Sequence, residues 1–215
     1  MRVSNKKVRA AYHEAGHVVT RYLLTGNIDQ IESVDIIKED GRHGICKSNK
    51  DAYELAAGHS IFEDILYCTV DGFKVIFNEV CFSLGGGVSE MLYCGLKRLP
   101  RRGMSGDFDS VYAVLDKTLP VSFGKTGIAY YPALNSLIET CLHFLKSLLA
   151  NCEAKIIINA IAEALLEHET IDGDALRSII AGFSYLRSVN TADLSWLKTD
   201  PSFREFAETG ESTVN

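Results

Sequence analysis

The chain has 215 residues, 47% of them apolar and 23% charged, enough to bury a core of one large domain and too apolar for a disordered chain. Its net charge of -6 argues against a nucleic-acid binder, which needs a basic face. "LKRLPRRG" (96–103) is the one dense basic stretch, and it is short.

No apolar h-region follows the charged opening "MRVSNKKVRA", so no secretory signal is read. No stretch reaches the roughly 18 uninterrupted apolar residues of a membrane span. The richest, "DILYCTVDGFKVIFNEVCF", is broken by Asp71, Lys74 and Glu79. The expectation is a soluble, cytoplasmic protein. Six cysteines occur without a CxxC pair, which reads as buried free thiols and not a zinc knuckle.

Residues 8–24 read as a helix, with Val8, Ala11, Ala15, Val18, Val19, Tyr22 and Leu23 at helical spacing and Gly26 closing it. "IESVDIIKEDGRHGICKS" reads as two short strands around a Gly-flanked turn, a small β-hairpin or sheet near 31–47. Residues 60–84 are apolar at helical spacing; "GGG" (85–87) interrupts, and "VSEMLYCGL" resumes the helix. "LPRRGMSGD" (99–107) is a loop by composition. A helix runs from Phe108 to about Leu119 and is stopped by Pro120. Residues 132–183 read as helices with one break, and "TIDGDAL" is a turn that hands over to a terminal helix with an acidic first turn. The pattern weakens after residue 183. The expected fold is therefore mainly α, with residues 1–183 as one domain (1–119 carrying the metal-binding part, 120–183 a helical part) and 184–215 as a partly flexible extension.

The chemistry sits in "AAYHEAGHVVTRY" (10–22). Four residues on a helix turn 400° and climb about 6 Å, so His13 and His17 share one face, one turn apart. Two imidazoles so placed can meet one zinc ion. Glu14 lies about 100° round from His13. There it stands beside the ion without ligating it and can take a proton from an attacking water molecule. The competing reading is a structural helix decorated with two histidines. Against it, the motif lies in an apolar helix, where an unpartnered Glu between two His is costly to bury.

A catalytic zinc needs a third protein ligand and an open fourth position. The extended zincin pattern is missing, since position 23 is Leu, and no ExxxD follows His17. Asp107, after a Gly-rich loop, is a candidate; by position alone it reads as an ordinary first-turn aspartate. Asp109, His43 and His59 compete with it. His143 and His168 read as surface residues, Glu163 and Glu167 as a solvated helix face, and Gly85–Gly87 as room for close helix packing. "SFGKTG" ends like a P-loop but lacks the earlier glycine, because position 119 is Leu, so ATP binding is not expected.

"VRAAYHEAGHVV" resembles the entry to the peptidase domain of the FtsH family, the membrane-anchored AAA+ zinc proteases of peptidase family M41. In order along the chain, "IESVDIIKEDGRHGI", "LGGGVSEMLYCG", "GMSGDFDSVYAV", "FGKTGIAY" and "IAEALLEHETIDGDALRSII" are similar to successive segments of that domain. The resemblance covers about residues 8–182. It implies a mostly helical zinc-peptidase fold, Zn²⁺ held by His13, His17 and Asp107, and Glu14 as general base. It implies too that the strand around 34–38 pairs with an extended substrate. Two positions depart: the family's Arg after the glycine pair is Gly87 here, and its paired Glu is reduced to Glu90 followed by Met91. The family's membrane helices and ATPase have no counterpart in these residues.

The expected function is zinc-dependent endopeptidase action on unfolded or flexible polypeptide. Expected partners are a polypeptide substrate, a separate AAA+ unfoldase and, by resemblance, other copies of the chain in a six-fold ring. The alternative is a proteolytically inactive, zinc-stabilised module that captures extended peptides.

Overall fold

A computed structural model describes residues 5–37, 44–48, 70–100, 103–123 and 130–183. They are mainly helical, with a small antiparallel sheet. Helix α1 spans Asn5–Thr25 and is followed by strands β1 (Ile31–Asp35) and β2 (Ile45–Ser48). Then come α2 (Val70–Tyr93), α3 (Ser105–Phe123), α4 (Tyr130–Leu149) and α5 (Cys152–His168), and last β3 (Thr170–Asp172) and α6 (Gly173–Ala181). No helix among the described residues is long and apolar enough to cross a membrane.

Helix α1 is the central element. It is buried along Ala10, Ala11, Ala15, Val18, Val19, Leu23 and Leu24, and it packs most extensively against α2 and then α5. Its small residues set how closely α2 can come. A Cβ on Gly16 would lie 2.4 Å from Ser89 Cβ and 2.6 Å from the Gly85 carbonyl oxygen, so the two backbones nearly touch. At its end Gly26 adopts φ +70, and its N–H donates to the Tyr22 carbonyl, the left-handed cap that the glycine allows.

The triple glycine does not interrupt a helix. Helix α2 runs unbroken through Gly85, Gly86 and Gly87. Each glycine costs about 1 kcal/mol of helix propensity against alanine, but α1 and Met104 lie where three β-carbons would have to be. A Cβ on Gly85 would meet Thr20 Oγ1 at 2.2 Å, and one on Gly87 would meet Met104 Sδ at 2.2 Å. Tertiary packing has overruled local preference, and the expectation of close helix packing at these glycines holds.

Helix α3 begins at Ser105, earlier than expected, and runs past Pro120 to Phe123. A proline removes one helical N–H and crowds the preceding turn; here only the last turn lies beyond it. Residues 130–183 contain two breaks, at Ala150–Asn151 and at Glu169–Asp172, not one. The second break holds strand β3 where a turn is expected. Asp172 caps α6 by accepting from Ala175 N–H at 2.8 Å, and Asp174 supplies the acidic first turn.

The sheet order is β2-β1-β3. Strand β1 pairs with β2 (Val34 opposite Cys46) and with β3 (Val34 opposite Ile171), both antiparallel. For the part of 34–38 that lies in β1, this corrects the expectation of an edge that pairs with substrate; residue 38 lies outside the described residues. Asp35 and Val34 lie in the central strand, with both ladders taken, and β2 and β3 form the edges among the described strands. The residues after 183, and with them the expected extension, lie outside the described residues.

Candidate metal centre

His13 and His17 project from the middle of α1, where the helix is buried, and are 5% and 6% exposed. Their rings meet edge to face, with centroids 4.9 Å apart. Asp107 comes from the first turn of α3. It is delivered there by Met104, which is fully buried against the notch left by Gly87 and whose carbonyl accepts the Phe108 N–H at 2.9 Å. Asp107 Oδ2 then lies 3.0 Å from His13 Nε2, and Oδ1 lies 3.5 Å from His17 Nε2. One ligand atom from each of these three residues falls within 4.8 Å of the other two, the grouping a single metal ion requires.

The far nitrogens of both rings are anchored. His13 Nδ1 lies 3.1 Å from Glu90 Oε2, and His17 Nδ1 lies 2.8 Å from the Phe82 carbonyl oxygen. Both acceptors take a proton and cannot give one, so Nδ1 is the donor in each ring. A neutral imidazole then carries its lone pair on Nε2. Both lone pairs point at Asp107. Metal-ligating histidines are characteristically held in this way, through the ring nitrogen that does not bind the ion.

Asp107 Oδ2 supplies the test of fit. The atom is buried and has no hydrogen-bond partner while His13 is neutral. The 3.0 Å contact to Nε2 is an ion pair only if that nitrogen is protonated as well. Lone pair facing lone pair is unfavourable, and a positive charge between them, proton or cation, removes the conflict. Two imidazole nitrogens and a carboxylate so placed fit a metal cation such as zinc.

The electrostatics point the same way. Burial alone would lower the His13 pKa, but hydrogen bonds to Asp107 and Glu90 and the charge of Glu14 outweigh it and raise it to about 10. Burial also opposes a raised His17 pKa, and Asp107 again overcomes it. For Asp107, burial would raise the pKa; hydrogen bonds from the two imidazoles hold it well below the usual carboxylate range. Three carboxylates surround two imidazoles, and the cluster draws positive charge.

Glu14 is 3% exposed and lines the same cleft, whose volume is about 590 Å³. Gly44, at the start of β2, closes on it with φ +82. A Cβ there would lie 2.0 Å from Glu14 Oε1. Cys46, Ser105, Asp109 and Ser110 also line the cleft.

Of the competing third ligands, Asp109 is exposed at the rim of the cleft and is not grouped with the imidazoles. His43 and His59 lie outside the described residues. His143, His168, Glu163 and Glu167 are exposed, as expected. Cys81 and Cys141 are buried free thiols, Cys46 and Cys94 are half-buried, and Cys152 is exposed. The sequence alone gives no role to Glu90 or to the Phe82 carbonyl. The one signal for Glu90 is its place in "LGGGVSEMLYCG", where the resemblance sets it at the family's paired Glu. A backbone carbonyl leaves no signal.

No protein-family model matches the chain. Among curated proteins, the ATP-dependent zinc metalloprotease FtsH 2 of Methylacidiphilum infernorum is 27% identical over 185 residues, covering 79% of this chain and 28% of its own length. FtsH of Chloroflexus aggregans, of the same description, is 25% identical over 245 residues, covering 98% of this chain and 32% of its own. FtsH 3 of Synechocystis is 22% identical over 206 residues, with 82% and 31% covered. The chain thus spans less than a third of the length of these relatives. At low identity, the similarities support an FtsH-related segment over about 80% of the chain and a relationship to zinc proteases.

Proposed function

We propose that the chain is a zinc-dependent endopeptidase acting on unfolded or flexible polypeptide. The observation that carries this reading is the convergence of His13 Nε2, His17 Nε2 and the Asp107 carboxylate in one cleft beside a buried Glu14. His13, His17 and Asp107 would hold the ion. Bound there, zinc would polarise the scissile carbonyl and make water more acidic. Glu14 serves as general base: it takes the proton of the attacking water and passes it to the leaving amine. Its carboxylate is kept in place by the close approach of Gly44. Glu90 and the Phe82 carbonyl fix the two imidazoles, so the chemistry needs little rearrangement of the protein.

An extended peptide would add to the outer edge of β2, whose Cys46, with the preceding Gly44, lines the cleft. In this reading, ATP-driven unfolding is supplied by an AAA+ unit working with the peptidase, and copies of the chain assemble in a ring. The test is cleavage of casein by zinc-loaded protein and by Glu14→Gln. Wild type is expected to cut and to stop on chelation. The variant is expected to keep its zinc and lose roughly 10²–10⁴-fold in rate, the usual contribution of a positioned base. Cleavage that persists in Glu14→Gln rules out this mechanism. Zinc and peptide binding without any cleavage would favour the inactive peptide-capturing module instead.

A further inference from the structure

We propose that Arg9 is a positioning residue for the metal centre, which through Glu90 fixes the His13 imidazole and thereby sets zinc affinity. The inference rests on the zinc reading above and adds a residue that touches neither ion nor substrate. Arg9 lies one helical turn before His13 on α1, and both side chains reach the same carboxylate on α2. Arg9 Nε donates to Glu90 Oε1 at 2.5 Å, while Oε2 accepts from His13 Nδ1 at 3.1 Å. The Glu90 side chain is only 5% exposed, so water cannot readily stand in for either partner.

The division of labour follows from torsional freedom. The terminal torsion of a glutamate is broad and soft. One contact to His13 would leave the carboxylate plane free to swing, and the imidazole with it. A second contact, on the other oxygen, fixes the plane. Arginine suits the task because its charge is permanent and its guanidinium is flat and rigid. Its cation also offsets one of the three carboxylates gathered around the imidazoles. With Glu90 held as an acceptor, His13 is left with Nδ1 as donor and Nε2 as the free lone pair.

The alternative role for Arg9 is a bolt between α1 and α2. Chelator competition on the full chain separates the two. Zinc affinity would be measured for wild type, Arg9→Met, Arg9→Lys, Glu90→Gln and the Arg9→Met/Glu90→Gln double variant, with thermal melting in excess EDTA alongside. The Arg9 side chain is 37% exposed, so Arg9→Met is expected to fold. It should weaken zinc about 10-fold, at the lower end of what outer-shell changes cost, with little change in the EDTA melting point. Arg9→Lys keeps the charge but loses the flat fork, so it should show an intermediate loss, and it carries the test if Arg9→Met does not fold. In the Glu90→Gln background, Arg9→Met should have no further effect. If wild type binds zinc and Arg9→Met binds it equally well, the inference is overturned while the zinc reading stands. An Arg9 effect undiminished in the Glu90→Gln background overturns it too. No zinc on the wild type overturns the zinc reading and this inference together.

Discussion

His13 Nε2 and Asp107 Oδ2 lie 3.0 Å apart with no proton assigned between them by the anchoring of His13 Nδ1 on Glu90. Two elements meet at this contact: the middle of α1 and the first turn of α3. Asp107→Ala removes the carboxylate that joins them and leaves two imidazoles, too few for a structural or catalytic zinc site. Purified wild type is expected to carry one zinc per chain. Asp107→Ala should lose more than the roughly 10–100-fold in affinity that an outer-shell change costs. Elemental analysis after dialysis against a weak chelator reads this directly. Equal zinc in both proteins would remove Asp107 from the ligand set.

The same cluster predicts how pH acts. The folded protein holds the His13 proton to about 10, against an ordinary value of 6.5. The stabilisation from that proton is complete below 6.5 and is lost as pH rises through about 10. In the proposed site zinc would take the place of the proton, so the loaded protein should not lose stability over this range, and zinc affinity should rise with pH across it. Asp107 has the opposite sign. Its pKa is depressed, so its stabilisation is present above the ordinary carboxylate value of 3.8 and is lost in more acid solution. Melting points in EDTA should therefore fall from pH 6.5 to 10, while those in excess zinc stay level over the same interval. Parallel curves would mean that His13 is not the group that zinc displaces.

Local signals were readable in the sequence and crossing points were not. The α1 period and the His13–Glu14–His17 spacing are properties of one helix, and both stand as read. Asp107 was ambiguous for a physical reason: it is a first-turn aspartate of α3 and also lies against the imidazoles, and helix position reports only the first. The resemblance to FtsH peptidases selected it over Asp109. The triple glycine misled because helix propensity counts against it, whereas its function is visible only where α2 crosses α1 and Met104. Strand β3 has three residues, too few to show a period of two, and finding it moved the sheet edge from β1 to β2. Glu90 needed the same α1–α2 crossing before it could be matched to His13 and Arg9.

That crossing yields a prediction for Gly86. A Cβ there would lie 2.4 Å from His17 Nε2 and 2.7 Å from His13 Nε2, in the space where the ligand atoms converge. Gly86→Ala should destabilise the fold by about 1–3 kcal/mol, as overpacking does. It should also abolish stoichiometric zinc binding even where the protein remains folded. Gly106→Ala is the control, since its built Cβ meets nothing within 4 Å beyond its chain neighbours and its own helix backbone. It should change stability by about 0.5 kcal/mol or less. Denaturant melts and zinc content on the two variants test the pair. A Gly86→Ala protein that holds zinc as wild type does would show that the histidines approach the ion from another side.

Gly44→Ala probes the Glu14 carboxylate apart from the metal ligands. Its φ of +82 lies in the left-handed region that other residues seldom adopt. Its built Cβ would be 2.0 Å from Glu14 Oε1 and 2.7 Å from Cδ. The three atoms nearest to that Cβ all belong to Glu14. Gly44→Ala should therefore displace the Glu14 carboxylate before any metal ligand and strain the chain entering β2. Casein cleavage is expected to fall at least 10-fold with zinc content unchanged, and KM should change less than kcat if the displaced base is the main cause. A variant that loses zinc along with activity would mean that Gly44 supports the ligand set as a whole. One that cleaves at the wild-type rate would mean that the Glu14 carboxylate need not stay where Gly44 holds it.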